Sequence, residues 1–102
     1  MLCHLIYVST AVTPTDSEEL AQLLRQSRAR NKEPHITGML LYKGGHFMQV
    51  LEGGRIAVQT VFASIRQDRR HENIDVLREE PIEQRAFEAH AMLMAFKNNP
   101  DT

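Results

Sequence analysis

Ile36-Thr37-Gly38-Met39-Leu40-Leu41-Tyr42-Lys43-Gly44-Gly45-His46-Phe47-Met48-Gln49-Val50-Leu51-Glu52-Gly53-Gly54 is the stretch whose reading decides the fold. Residues 36–42 and 46–52 are two apolar runs joined by Lys43-Gly44-Gly45, a hairpin signal, and Gly53-Gly54 ends the second strand. Alternate residues of a strand share a face, so Phe47, Gln49 and Leu51 lie together. Phe47 and Leu51 belong in a core, which places the Gln49 amide between them. A buried amide without partners costs a few kcal/mol, on the order of 2–7, so this hairpin needs polar company on its buried side.

Upstream, residues 2–9 read as a first strand followed by a turn-rich stretch over 10–15. Cys3, Leu5 and Tyr7 share a face, and Tyr7 brings a hydroxyl inward. Thr15 and Glu18 have the spacing of a capping box. Leu20, Leu23, Leu24 and Ser27 follow helical spacing, with Asp16, Glu18 and Glu19 in the first turn and Arg25, Arg28 and Arg30 in the last, as the helix dipole prefers. Asn31 closes this helix. Downstream, Val58, Val61, Phe62 and Ile65 predict a second amphipathic helix to about Arg69. Residues 73–78 and 86–96 read as two closing strands around Pro81. The order βαββαββ predicts an α+β ferredoxin-like sandwich, a mixed five-stranded sheet with two helices on one face. The other face is left solvated or free for a partner. A single domain over 1–97 and a tail over 98–102 are expected.

The chain of 102 residues carries a net charge of −1, so no global field draws it onto nucleic acid. The basic run Arg25, Arg28, Arg30 and Lys32 has no interleaved aromatics. Cys3 is the single cysteine, which excludes an internal disulfide and any CxxC pair. His4, His35, His46, His71 and His90 show no ligand spacing with carboxylates, so no metal site is expected. No apolar stretch is long enough to span a bilayer. Residues 1–10 lack a basic n-region and a cleavage site, and the expected location is the cytoplasm.

Tyr7, Asn31 and Gln49 thus converge on one end of the sheet. They can simply satisfy one another or the backbone. Together they can also line a pocket with a donor–acceptor relay on an apolar background, suited to a flat heteroaromatic ligand with carbonyls and ring nitrogens.

Over nearly its whole length the chain resembles BLUF domains, the sensors of blue light using flavin. The resemblance is carried by Leu5-Ile6-Tyr7-Val8-Ser9, Ser27-Arg28-x-x-Asn31, Ile36-Thr37-Gly38-x-Leu40, Phe47-x-Gln49-Val50-Leu51-Glu52-Gly53, Asp68-x-Arg70-His71 and Pro81-Ile82-x-x-Arg85-x-Phe87. It implies a flavin held between the two helices, usually FAD, with FMN or riboflavin as alternatives. It implies Tyr7, Gln49 and Met92 as the photoactive group. It implies Tyr7, Leu24, Arg28, Arg30, Asn31, Gln49, Ile65, Asp68 and His71 as the flavin-binding set. Tyr7 is then the electron and proton donor to the excited flavin. Gln49 rearranges by rotation or tautomerisation, and a flavin carbonyl also held by Asn31 gains a stronger hydrogen bond, giving a small reversible red shift. Nothing is consumed, so no enzymatic activity is expected. Output runs through Met92 in the last strand to a separate downstream protein or to self-association, with a homo-oligomer expected.

The chain departs from the family pattern at His90 and Ala91, where tryptophan and serine are usual, at Arg30, and at Ser64. Arg28 and Arg30 can meet phosphates or form a solvated helix end, and Asp68 can accept from the ring or cap a turn. Two other readings of the topology are a flavin-free interaction module and an acylphosphatase-like hydrolase. The hydrolase needs a glycine-rich, arginine-bearing loop after the first strand, and residues 10–15 have neither.

Overall fold

The computed structural model describes residues 1–90 and 92–96. The elements are β1 (Leu2–Ala11), α1 (Ser17–Lys32), β2 (Thr37–Lys43), β3 (His46–Gly54), α2 (Arg55–Arg66), β4 (His71–Pro81) and β5 (Leu93–Phe96). β1 lies between β3 and β4, antiparallel to both, and β3 pairs antiparallel with β2. This gives an α+β fold built on four antiparallel strands in the order β4-β1-β3-β2, with the short β5 running parallel beside β2.

Alternation decides which face is covered. Cys3, Leu5, Tyr7 and Ser9 of β1 are buried while their neighbours are partly exposed. The buried set packs with Leu20 of α1 and with Val58, Val61, Phe62 and Ile65 of α2 in one core. On the opposite face, Ile6, Val8, Met39, Leu41 and Met48 stay partly exposed. β4 is an exposed edge strand carrying Glu72, Asp75, Arg78, Glu79 and Glu80, charges that discourage pairing with another chain.

The hairpin forms as its sequence demands. Lys43 pairs with His46, leaving a two-residue loop in which Gly44 and Gly45 have φ of 58° and 83°. Two successive positive φ values define a type I′ turn, which glycine enters without strain. Gly38 is needed for another reason: a Cβ there would lie 1.8 Å from the Val50 carbonyl oxygen.

Four boundaries differ from expectation. The capping box of α1 is Asp16 with Glu19, not Thr15 with Glu18: Glu19 N–H donates to Asp16 Oδ1 at 2.8 Å and Asp16 N–H to Glu19 Oε1 at 3.1 Å. Thr15 is drawn instead to the sheet, its N–H 3.2 Å from the Tyr42 hydroxyl. α2 stops at Arg66, not near Arg69. The Gln67 and Asp68 amides tighten onto Ser64 and Ile65 carbonyls, and the Asp68 carboxylate then accepts the Arg70 amide at 2.9 Å in a local turn. β4 runs over His71–Pro81 rather than 73–78, and its register with β1 shifts twice, near Ile6/Tyr7 and Val8/Thr10. The strand expected over 86–96 shrinks to Leu93–Phe96, because the Ala86 and Phe87 amides are taken by a side chain of β3 and the His90 amide turns back to Phe87. The expected tail over 98–102, with the domain boundary before it, lies outside the described residues.

Candidate functional site

A cleft opens where α1 and α2 part over β1, β2 and β3. Leu23, Ser27 and Arg30 of α1 line it, with Ile65 near the end of α2. Tyr7, Leu40, Phe47 and Gln49 line it from the sheet, and Asp68, Arg70 and His71 from the entry to β4. Its open space, mouth included, is about 400 Å³.

At its floor is a relay of neutral groups. Tyr7 is 3% exposed and Gln49 2%. The Tyr7 hydroxyl donates to Gln49 Oε1 in a short hydrogen bond. That bond fixes the amide, since a hydroxyl donating to oxygen leaves the NH2 group facing away. Gln49 Nε2 accordingly points at Met92 Sδ, 3.5 Å away. Burial pushes the Tyr7 phenol far above its usual pKa; Asp68 adds to this and Arg30 opposes it. Tyr7 is therefore a neutral hydroxyl with a proton to give. Tyr7 and Gln49 face each other across β1 and β3, so backbone register alone brings them together.

The rim carries the charge. Arg70 Nε lies 3.0 Å from both Asp68 carboxylate oxygens and Nη1 2.9 Å from Gln26 Oε1, tying the α2–β4 loop to α1. The Arg70 hydrogen bond holds Asp68 below the ordinary carboxylate range against the opposing effect of burial. Burial lowers the Arg30 guanidinium from its ordinary value, with Tyr7 and Asp68 opposing and Arg70 adding to the shift. His71 stands edge-on to Tyr7 at 6.1 Å between centroids. Its Nε2 is 2.8 Å from the Ile65 carbonyl and its Nδ1 2.8 Å from Ser9 Oγ. A carbonyl only accepts, so Nε2 carries the hydrogen, and in the neutral ring Nδ1 accepts from Ser9.

The structure thus gathers Tyr7, Gln49, Arg30, Ile65, Asp68 and His71 around one cleft. Met92 touches Gln49 from behind it. Asn31 is fully buried and its Oδ1 accepts from Arg30 Nε at 3.2 Å. Leu24 packs against the edge of the core, and Leu23 is the leucine that lines the cleft. Arg28 donates from Nε to the Met92 carbonyl at 3.0 Å. Asp68 caps a local turn by accepting the Arg70 amide. His90 is exposed. Leu23, Ser27, Leu40, Phe47 and Arg70 line the cleft outside the set that the resemblance implies, although Ser27 stands one helical turn before Asn31 and Phe47 shares the face of Gln49.

Apolar walls with a few convergent donors and acceptors suit a flat ring whose edge bears carbonyls and nitrogens, and these residues fit a flavin ring. Such a site defines a binding module built around a neutral hydrogen-bond relay. Residues 2–93 match the family described as sensors of blue-light using FAD. The chain belongs to that family, BLUF, the sensors of blue light. It is 41% identical over 86 residues to the photoactivated adenylate cyclase subunit alpha of Euglena gracilis, covering 84% of this chain and 8% of that protein. The dark-state structure of BlrB, a BLUF protein, superposes with a TM-score of 0.88 at 38% identity, covering 93% of this chain and 72% of that one. A bacterial light-regulated adenylyl cyclase superposes with a TM-score of 0.90 at 35% identity, covering 94% and 28%. The chain spans a tenth or less of the curated cyclase subunits it matches.

Proposed function

We infer that this chain is a reversible light switch in which Tyr7, Gln49 and Met92 convert excitation of a bound flavin, FAD in the first instance, into displacement of the last strand. The observation that carries this reading is the continuous relay from the Tyr7 hydroxyl through the Gln49 amide to Met92 Sδ. When bound, the flavin absorbs blue light and becomes a strong oxidant. Tyr7 would supply both the electron and the proton to the excited ring, its hydroxyl being neutral and aimed at Gln49 Oε1. Gln49 is the moving part. Turned over, its amide presents oxygen to Met92, which has no hydrogen to give, so the contact with the residue that leads into β5 is lost in the same event that re-pairs the amide. Asn31 and Arg30 hold the ring edge, Leu24 backs Leu23 against the wall, and Ile65, Asp68 and His71 close the far side. Arg28 holds Met92.

The finer architecture belongs to the same reading. We take the sheet as a mixed five-stranded, ferredoxin-like one with β5 as the output strand, supported by its parallel register with β2. The signal passes to a separate protein or to a second copy of the chain, and the partly exposed sheet face supports such an exit. A cytoplasmic setting is supported by the lone, buried Cys3. No described helix is long and apolar enough to cross a membrane.

The visible absorption spectrum, in the dark and just after blue light, tests the reading. A flavin band that moves red and returns in darkness is expected, and Gln49→Leu abolishes the shift while keeping the colour. A protein that takes up no added flavin sinks it.

A further inference from the structure

Glu52 is 1% exposed, as buried as Ile36 of the core, yet it lies on the sheet face opposite Gln49, three residues along the same strand. Residues 85–87 bury it by crossing over the end of the sheet. Its Oε1 accepts from Thr37 Oγ1 at 3.0 Å and from the Phe87 amide at 3.0 Å, and Oε2 from the Ala86 amide at 2.6 Å. Arg85 completes the arrangement. Its Nη1 donates to the His35 carbonyl at 2.9 Å, to Thr37 Oγ1 at 2.9 Å and to the Glu52 carbonyl at 3.0 Å. The Thr37 hydroxyl gives its proton to the carboxylate and accepts from the guanidinium, so it bridges the two charges.

Burying a carboxylate is costly unless it is fully satisfied, and nothing in the light-sensing cleft uses this one. What it does hold is the chain that leads to Met92. Phe87 and Met92 are five steps apart along the chain, a reach of at most about 18 Å fully extended. Within that span the His90 amide bonds the Phe87 carbonyl at 3.0 Å and the Gly38 amide bonds the His90 carbonyl at 3.2 Å. The segment is thus gripped unequally. At one end are charge-assisted bonds to two backbone amides, about twice as strong as neutral ones. At the Gln49 end the acceptor is a thioether sulfur, a weak one.

Resting on the light-switch reading above, we propose that Glu52 is a positioning residue of the switch. Its carboxylate fixes residues 85–87 so that Met92 is presented to Gln49, and it keeps that end in place when the Gln49–Met92 contact breaks. Motion then begins at residue 88 and travels toward β5 instead of back toward β4.

Amide hydrogen exchange and dark-recovery kinetics on the flavin-loaded chain test this. In the parent, illumination is expected to raise exchange from residue 88 onward while the Ala86 and Phe87 amides stay protected in both states. Glu52→Gln puts an NH2 group where an acceptor is needed. It should still undergo the red shift, but with Ala86 and Phe87 exchanging in the dark and recovery slowed several-fold. If Glu52→Gln does not fold, Thr37→Val carries the test, with the same changes at smaller size, and Thr37→Ser, which keeps the hydroxyl, restores parent recovery. Loss of Ala86 and Phe87 protection on illumination of the parent overturns the proposal, as does parent-like recovery and protection in Glu52→Gln or Thr37→Val. A parent chain that never shifts removes the light-switch reading itself, and a parent that shifts with indifferent variants removes the role of Glu52 alone.

Discussion

Tyr7 and Gln49 were legible as a pair because alternation left no other place for them: each sits between core residues on its strand, and polar groups in such positions must find one another or a ligand. Tyr7→Phe leaves Gln49 Oε1 without its donor in a dry site. A loss of about 1–3 kcal/mol is expected in urea unfolding, with the red shift abolished; an unchanged midpoint would mean that the amide finds another donor. Asp68 yields a prediction in pH. Its folded pKa lies below the ordinary 3.8, so the pairing with Arg70 contributes fully above that value and is lost as pH falls through the lower folded value. Asp68→Asn removes the contribution at every pH, so the acid limb of the stability curve should fall less steeply below about pH 4 than in the parent. Glu52 stayed illegible for a physical reason: an acid beside a glycine pair at a strand end reads as solvated, and its donors at Ala86 and Phe87 lie more than thirty residues further on.

Among the elements, the hairpin and both helices followed from periodicity and turn chemistry, which are local. The boundaries that moved did so through contacts no local rule contains. Tyr42 draws Thr15 out of the cap, and Glu52 takes amides that would otherwise extend β5. The cap itself is testable by circular dichroism melts: Asp16→Ala should cost about 0.5–2 kcal/mol and Thr15→Ala clearly less. Gly38 is the strictest position of the sheet. Alanine there sets its Cβ 1.8 Å from the Val50 carbonyl oxygen, a backbone atom that cannot swing away. Gly38→Ala should therefore fall among the exceptional substitutions, beyond about 4 kcal/mol, visible as loss of the cooperative thermal transition.

At the scale of the whole molecule, the Cα radius of gyration of 13.1 Å matches the roughly 13 Å of a single compact domain of about 100 residues. Ligand and fold are then one thermodynamic unit. Free flavin at about a hundred times its Kd should stabilise the chain by about 2.7 kcal/mol, a rise in melting temperature of about 10 to 20 °C at roughly 4–8 °C per kcal/mol. A melting temperature indifferent to flavin would show that the ring has no preference for the folded chain, whether by binding both states alike or by not binding. The fate of the whole also hangs on the Gly44-Gly45 turn. β3 carries Gln49 on one side and Glu52 on the other, and strand sidedness has a period of two. One residue taken from that turn into the pairing would slide the strand by a single step, carrying the glutamine out to the bare side and the acid into the core. For anyone grafting this domain or threading a tag through its exposed hairpin, register is the rule: an insertion that preserves the pairing of Lys43 with His46 leaves the sensor seeing, and one that shifts it by one leaves it blind.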